Sequence, residues 1–346
     1  MKTLLKAALG AFAAGTIALA PQIASAKSPT VAKIEERGKM LCSGHNGSYF
    51  GFVEVNDKNE WKGLDIDICR ALTTAILGDP NKADFVPLSW AQRFPALKAG
   101  DVDVIIKATG WTMGRDTEQG LQFSLPYFFG GSQIMAHKEL GISDAKGLDG
   151  GTVCVEAGTT IERLTANHLK TIGVEVNMVN YEKAAEMQSA YLANRCDAFA
   201  AWGPFLAVLR ATKIDNPGDH VILNDQLSNE PIAAAMRQGD DEFVDLVNWM
   251  LAALLIAEEN GVNKANVEEM AKNPPNPKVA RLLGNTPGMG ERVGLRDTWA
   301  KEMIAAMGNY GEIYHRNLGE NSPYKLERGL NNLWNEGGVL YAPILD

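Results

Sequence analysis

The chain has 346 residues, a formal net charge of −9, 46% hydrophobic residues and 22% charged residues. This composition excludes a disordered protein, and the length favours two domains over one. The acidic balance argues against nucleic acid as a partner, because a protein that neutralises phosphates needs a basic surface. After the N-terminus the longest apolar run, 250–257, is far short of the roughly 20 residues that a membrane-spanning helix needs.

The first 26 residues have the layout of a secretory signal peptide. Lys2 and Lys6 precede an apolar stretch at 7–20, and small residues at 24–26 predict cleavage after Ala26. The alternative, a membrane anchor, is disfavoured because the apolar stretch is short and no stop-transfer pattern follows. Without Lys2 and Lys6, 31 basic residues face 42 acidic ones, so the mature chain carries −11. We expect an exported, acidic protein.

Four cysteines form an even set, and an exported chain meets an oxidising compartment, so disulfides are expected. Metal ligation would need closer pairs, and the five histidines are scattered, so no metal site is expected. Three pairings are possible. We favour Cys42–Cys69 and Cys154–Cys196, because each pair lies within one of the two α/β halves described next.

Strand and helix patterns alternate along the first half. A short apolar run at 39–43 predicts a strand that leads into a Gly-rich turn at 44–47. Apolar residues at helical spacing predict a helix over 64–77. A strand at 84–88 and a helix at 90–99, closed by Gly100, follow. The β-branched run at 102–107 is typical of a parallel strand buried on both faces.

A second set follows Gly130-Gly131, with strands predicted at 152–156, 175–180 and 196–201 and helices at 161–171 and 183–194. Repeated βαβ units predict open, mostly parallel sheets covered by helices, and hence an α/β protein with two lobes. Segments 130–132 and 229–231 are candidate crossings between the lobes. We therefore expect lobe 1 to comprise 27–131 and 232–346, with a helix at 240–260 and a helical extension at 261–346. Lobe 2 then comprises 132–231.

The chain contains no nucleophile elbow, phosphate-binding loop, dinucleotide fingerprint or metal-binding His-Glu motif. Ligand-holding groups stand at strand ends instead. Arg115 offers a planar fork suited to a carboxylate, unless it forms a surface ion pair with Asp116 or Glu118. Thr159 and Thr160 begin a helix after a strand, which makes either an anion site or an ordinary N-cap.

Aromatic residues follow the same strands. Tyr49, Trp90, Trp111 and Trp202 each stand near a predicted strand end. A single aromatic residue is more often core than cleft. Four of them near one arginine favour an aromatic wall in a ligand-binding cleft.

Several motifs resemble those of family 3 solute-binding proteins, which serve ABC importers of amino acids. The resemblance rests on 63–68 (Gly-Leu-Asp-Ile-Asp-Ile), 94–97, 100–103, Thr112 with Arg115, 123–127, 158–160 and 195–198. The tail motifs at 308–312, 328–331, 333–334 and 341–343 are similar to those of the general L-amino-acid-binding subfamily. Together they cover nearly the whole mature chain.

The resemblance implies a type II periplasmic-binding-protein fold with two crossover strands and a helical C-terminal extension. It implies a periplasmic protein that closes on a small ligand and delivers it to an inner-membrane ABC permease. No cofactor is expected, since a separate ATPase would supply the energy.

The family's site residues transfer as follows. The carboxylate-clamping arginine falls on Arg115 and the helix-start threonine on Thr160, with Thr159 beside it. The positions that line the rest of the family's site fall on Tyr49, Trp90, Asn46, Ala108, Gly110 and Trp202. Ala108 and Gly110 stand where the family has small polar residues, and Trp202 stands where it has the aspartate that pairs with the ligand's α-ammonium.

Loss of that aspartate leaves two ligand classes open. A tryptophan face attracts a diffuse cation, so the ligand could be a betaine, an N-methylated amino acid or a carboxylate without an ammonium. Alternatively it is a standard amino acid, with Asn46 or backbone carbonyls replacing the lost acid.

An enzyme is an alternative from another class. Cyclohexadienyl dehydratases resemble this fold and use a general acid in the cleft, for which Glu156 and Glu162 are candidates. A chemosensory binding protein on the same fold is a further alternative. We expect a binding protein and no enzyme, because the long tail fits the transport subfamily.

Overall fold

The computed structural model describes residues 27–56 and 58–346. The predicted signal peptide, 1–26, lies outside the described residues. The strands are β1 (Met40–His45), β2 (Glu54–Val55), β3 (Trp61–Lys62), β4 (Ala83–Leu88), β5 (Leu121–Gly130), β6 (Ser132–His137), β7 (Thr152–Glu156), β8 (Asn177–Tyr181), β9 (Ala198–Trp202), β10 (His220–Ile222) and β11 (Glu230–Arg237).

Helices cover both groups of strands. They are α1 (Pro29–Arg37), α2 (Leu64–Leu77), α3 (Arg93–Ala99), α4 (Met113–Thr117), α5 (Thr160–Thr171), α6 (Ala184–Leu192), α7 (Gly203–Thr212), α8 (Asp241–Glu259), α9 (Val267–Lys272), α10 (Pro277–Leu282), α11 (Trp299–Met307) and α12 (Tyr310–Asn317). Within the described part of the chain, none of these helices is both long and apolar enough to span a membrane.

Lobe 1 is built on β1 and β4, which pair in parallel, and on β5 and β11, which pair antiparallel. The run 102–107, predicted as a strand, joins these two pairs through single bridges. Val104 bridges Cys42 in β1, and Ile105 bridges Ala235 in β11. Because Val104 bridges β1 on one side and Ile105 bridges β11 on the other, the run forms no continuous ladder with either strand. The run is nonetheless buried, as its apolar sequence predicts.

Lobe 2 has one five-stranded sheet in the order β10-β6-β9-β7-β8. β7 pairs in parallel with β8 and β9, but β6 pairs antiparallel with β9 and β10. The expectation of mostly parallel sheets is therefore wrong for this lobe. The physical reason is that β6 follows directly from the crossing strand β5. No helix lies between them, and a strand needs such a crossover helix to join its neighbours in parallel.

Two strands carry the chain between the lobes. β5 continues through Gly131 into β6, and β11 begins with Glu230 opposite Gly130. The protein therefore has the predicted two-lobed α/β fold with two crossover strands. On this topology we propose the lobe boundaries given above, 27–131 with 232–346 and 132–231.

The helical C-terminal extension packs on lobe 1 through a buried carboxylate. Asp67, in the first turn of α2, accepts hydrogen bonds from Arg316 Nε and Asn317 Nδ2, both at 2.8 Å. Further along the extension, Tyr310 donates to the carbonyl oxygen of Tyr127 at 2.7 Å. The extension is thus tied both to α2 and to the crossing strand β5.

The structure joins Cys42 to Cys69 and Cys154 to Cys196, the two pairs that the sequence favours. Each bond lies within one lobe. Cys42–Cys69 links β1 to α2, and Cys154–Cys196 links β7 to the segment just before β9. Cross-links over 27 and 42 residues restrict the unfolded chain.

We predict that the double variant Cys154→Ser/Cys196→Ser folds but loses roughly 3–4 kcal/mol of unfolding free energy, because its unfolded state gains freedom. Equilibrium urea denaturation of the oxidised proteins measures this. A reductant should destabilise the wild type further than the variant, which keeps only one disulfide. Equal stabilities of variant and wild type would contradict the prediction.

Candidate ligand-binding site

A cavity lies between the lobes, at the carboxyl ends of β7 and β9 and beside the crossing strand β11, where open α/β sheets bind ligands. It is lined by Tyr49, Trp90, Arg93, Ala108, Gly110, Arg115, Glu156, Thr159, Thr160, Ile161, Met187, Ala200, Ala201, Trp202, Phe205, Glu230 and Ile232. The structure thus brings together all of the predicted site residues except Asn46. The Asn46 side chain is partly buried outside this lining.

Arg115 lies in α4, behind the N-cap Thr112, and is only 7% exposed. Its Nη1 donates to the carbonyl oxygen of Gly110 at 2.7 Å, and its guanidinium carbon lies 5.2 Å from the ring centre of Phe94. Among the described residues it has no ion pair within 4 Å with Asp116 or Glu118. Burial lowers the pKa of Arg115 to about 10, while the nearby Glu230 carboxylate raises it, so the group stays cationic at neutral pH.

The loop that carries Ala108 and Gly110 is held by Asp65. The Asp65 carboxylate accepts from the backbone N–H of Ala108 at 2.7 Å and from the hydroxyl of Tyr127 at 2.8 Å. Ala108 has a left-handed φ of 34°, a conformation that a non-glycine residue adopts only when its surroundings hold it. The first acid of the motif at 63–68 therefore positions the backbone next to Arg115.

The two threonines at the start of α5 have different partners. Thr159 is the N-cap, since its hydroxyl accepts from the Glu162 N–H at 3.2 Å. The Thr160 hydroxyl instead points across the cavity and donates to Glu230 Oε2 at 3.2 Å. Gly158, just before them, has φ +72°, and an added Cβ would lie 3.1 Å from Ala91 of lobe 1. A glycine here allows both the turn and the close approach of the lobes.

Tyr49 forms the aromatic wall with residues of both lobes. Its ring stacks on Phe205 of lobe 2 at 4.5 Å and meets Trp90 of lobe 1 edge-on at 5.3 Å. Phe205 is in α7, a helix that the sequence pattern does not reveal. Trp111 is 39% exposed and stacks on Phe123, outside the cavity lining.

Trp202 lies between the cavity and the crossing strands. It is 3% exposed, and its ring packs on Phe52 at 4.7 Å and Phe128 at 5.0 Å. An added Cβ on Gly130 would lie 2.4 Å from its Nε1, so the indole needs the glycine of the crossing strand. Trp202 thus lines the cavity and also packs into the core of lobe 1.

Two charged residues of the lining were not predicted from the sequence. Arg93, in α3, is 1% exposed, and its guanidinium carbon lies 4.2 Å from the ring centre of Phe94. Its Nη1 donates to the carbonyl oxygen of Gly158 across the cleft at 3.5 Å. Glu230 begins β11. The sequence alone placed it only in the candidate crossing 229–231. Its place in the lining becomes visible only from the pairing of β11 with β5.

Two residues of the lining, Trp90 and Glu156, belong to a buried polar cluster with His45 and Lys107. Glu156 Oε1 lies 3.9 Å from His45 Nε2, and Lys107 Nζ lies 4.5 Å from the centre of the Trp90 ring. Burial raises the pKa of Glu156 to about 7, while Lys107 and Arg93 oppose the shift. Burial, with a smaller effect of Lys107, lowers the pKa of His45 to about 3, so the imidazole is neutral.

Comparison with known proteins identifies the architecture. The sequence profile of bacterial extracellular solute-binding proteins, family 3, matches residues 41–261. The chain belongs to this family. The predicted membership is therefore confirmed, and the solute-binding protein is periplasmic, as predicted.

Relatives of this solute-binding protein match along almost its whole length. The general L-amino acid-binding periplasmic protein AapJ of Rhizobium johnstonii is 41% identical over 98% of both chains. The glutamate/glutamine/aspartate/asparagine-binding protein BztA of Rhodobacter capsulatus is 41% identical over 95% of this chain and 97% of its own. A periplasmic binding protein from Brucella ovis, solved with glutathione bound, is 42% identical with a TM-score of 0.87, and covers 92% of this chain and 99% of its own.

The raised pKa of Glu156 predicts a pH-dependent stability. The folded protein holds this proton up to about pH 7, whereas an ordinary glutamate loses it near pH 4.5. The contribution to stability is therefore present at low pH and is lost as the pH rises through 7. Replacing the group by a neutral amide removes this loss. We predict that the free energy of unfolding of Glu156→Gln, taken relative to that of wild type, is roughly 2 kcal/mol higher at pH 7 than at pH 5.

Urea denaturation of ligand-free wild type and variant at both pH values measures the difference. Glu175→Gln, which removes an exposed carboxylate from lobe 2, controls for the general loss of a negative charge. A stability difference between Glu156→Gln and wild type that is the same at both pH values would refute the assignment.

Proposed function

We propose that this protein is the substrate-binding component of an ABC importer for amino acids or amino-acid-like small carboxylates. The observation that carries the proposal is the position of Arg115 and Thr160, on opposite lobes and lining one cavity. A guanidinium and a hydroxyl at a helix start suit the oxygens of one carboxylate. The ligand would then bridge the two lobes, and the protein would hand it to an inner-membrane permease.

The architecture supports a binding cycle based on closure. Two side-by-side crossing strands allow the lobes to hinge, and contacts made only in the closed form shift the population toward it. The lobes already have closed-form contacts, since Arg93 donates to Gly158 and Thr160 donates to Glu230. A ligand carboxylate would add a contact to Arg115 and would take the Thr160 hydroxyl from Glu230, because one hydroxyl donates a single hydrogen bond.

The charges of the cavity favour a ligand that carries both signs. Arg93 and Arg115 supply two cations, and Glu156 and Glu230 supply two carboxyl groups. The compounds named for the relatives, L-amino acids and glutathione, share a carboxylate and an ammonium. Both the lining and the relatives therefore support the amino-acid class.

We predict that Arg115→Ala weakens binding by roughly 100-fold or more, because it removes the only charged carboxylate donor proposed at the clamp. The mature protein is unfolded and refolded to remove copurified ligand, then screened by thermal shift against L-amino acids, glutathione, betaines and plain carboxylates. A ligand at ~1000 times its dissociation constant adds about 4 kcal/mol and raises the midpoint by several degrees. Titration calorimetry then gives the affinity of each hit.

Arg195→Ala is the control, because it makes the same substitution at an exposed arginine of lobe 2, outside the cavity lining. It should bind as tightly as wild type. If Arg115→Ala also keeps full affinity, the site has been placed wrongly.

A second candidate function rests on Glu156. A buried carboxyl group with its pKa raised to about 7 suits a general acid, as in a dehydratase on this fold. The other candidate acid, Glu162, serves its helix instead, since it accepts from Gly158 N–H at 3.1 Å and from Asn180. We expect no turnover of prephenate or arogenate. Release of carbon dioxide and water from either compound, abolished in Glu156→Gln, would favour the enzyme.

A further inference from the structure

We infer that Glu230 is the acceptor for the ligand's ammonium, so that this protein selects ligands with a primary ammonium beside a carboxylate. The inference rests on the proposed function, because it assumes that Arg115 and Thr160 hold the ligand's carboxylate. It assigns to a crossing strand the task that an aspartate at position 202 would otherwise perform.

The Glu230 carboxylate is fixed from behind. Its Oε1 accepts from the Ser132 hydroxyl at 2.8 Å and from the Ser228 hydroxyl at 2.7 Å. Ser132 begins β6, so both serines stand on the crossings between the lobes, next to Glu230 itself. The carboxylate therefore keeps its orientation independently of the cavity's outer walls, as a preorganised acceptor should.

Its other oxygen faces the cavity. Oε2 accepts from Thr160 at 3.2 Å, and a Cβ built on Gly110 would lie 2.5 Å from it. The glycine at position 110 therefore makes room for this oxygen. A carboxylate has about four acceptor positions, and three hydroxyls use three of them. At least one acceptor position remains for a donor from a ligand.

Among the residues that the structure describes, no cation pairs directly with the Glu230 carboxylate. Across residues 27–56 and 58–346, no lysine, arginine or histidine nitrogen lies within 4 Å of its carboxylate. Three neutral hydroxyls satisfy its hydrogen bonds, and the charge of Arg115 acts on it only from beyond ion-pair distance. A partly buried carboxylate without a direct ion pair is costly, and a ligand ammonium supplies both a close cation and a donor.

The position of Glu230 also fits the shape of an α-amino acid. The carboxylate and ammonium of such a ligand share one carbon atom, so the ammonium acceptor must adjoin the carboxylate clamp. Glu230 contacts Thr160 directly and lies beside Gly110, whose carbonyl oxygen holds Arg115. The other carboxyl group of the lining, Glu156, lies instead near His45, with Oε1 3.9 Å from its Nε2.

The test compares matched ligands that differ only in the ammonium. The pairs are L-alanine with L-lactate, L-aspartate with L-malate, L-glutamate with L-2-hydroxyglutarate, and glutathione with glutaryl-cysteinylglycine. Calorimetry on the full mature protein gives the affinity ratio within each pair. For the pair that binds most tightly, we expect wild type to prefer the ammonium compound by roughly 100-fold or more.

In Glu230→Gln the preference should fall below roughly 10-fold, mainly through weaker binding of the ammonium compound, because the amide keeps the shape but loses the charge. Glu175→Gln is the control, since it makes the same substitution at an exposed glutamate outside the cavity lining. It should keep the wild-type ratio within about threefold, because it lies away from the site. Circular dichroism and the thermal midpoint report folding, and Glu230→Ala, which also removes the charge, serves if the amide variant does not fold.

Three results would overturn the inference. An unchanged ratio in Glu230→Gln or Glu230→Ala would place the ammonium elsewhere. If Glu230→Gln bound both members of a pair more tightly than wild type does, Glu230 would occupy the place of the ligand's carboxylate between Arg115 and Thr160. A wild-type protein that binds N-trimethyl amino acids at least as well as their parent amino acids would show that Trp202 selects the cation. In all three cases the proposed function survives if Arg115→Ala still weakens binding by roughly 100-fold or more. It fails together with the inference if wild type binds no compound of the panel.

Discussion

The antiparallel pairing of β5 with β11 governs the geometry of the site, because it places both crossings between the lobes side by side. Gly130 lies opposite Glu230 at the point where the two strands leave lobe 1. The ladder then shifts register twice between Ile232 and Ala235, and such irregularities bend a strand and re-aim its side chains. Glu230 lines the cavity from a segment that lies between the two lobes.

That position affects how the cavity can hold charge. Arg115 is held by a backbone carbonyl and Glu230 by serine hydroxyls, so neutral dipoles orient both charges and the two do not form a direct ion pair. A direct pair would bury both charges against each other and leave little for a ligand. Charges held apart on dipoles stay available to a ligand of matching polarity, and their orientation costs nothing further on binding.

Local patterns in the sequence predicted the elements that local chemistry determines. The helix predicted at 64–77 matches α2 at both ends, because Gly63 and Gly78 terminate it. The strand predicted at 152–156 matches β7. Arg115, Thr160, Tyr49 and Trp90 were found because each follows a strand or begins a helix.

Long-range pairing was not accessible in the same way. The buried run at 102–107 has the composition of a strand, but its neighbours β1 and β11 come from distant parts of the chain and leave it only single bridges. Glu230 was missed for a related reason. Nothing in its immediate neighbours shows that the hydroxyls of Ser132, about a hundred residues earlier, and of Thr160 converge on it.

The departures at positions 110 and 202 become consistent when they are considered together with Glu230. An acid on the crossing strand needs space where the family has a polar side chain, and Gly110 provides it. An acid at 202 as well would add a third carboxyl group to the cavity beside Glu156 and Glu230, and like charges in one buried site raise each other's pKa and weaken both as anions. Trp202 avoids that conflict and fills the space over Gly130. Under this proposal the ammonium acceptor is at position 230 and not at 202. A tryptophan at 202 therefore does not mean that the ligand lacks an ammonium.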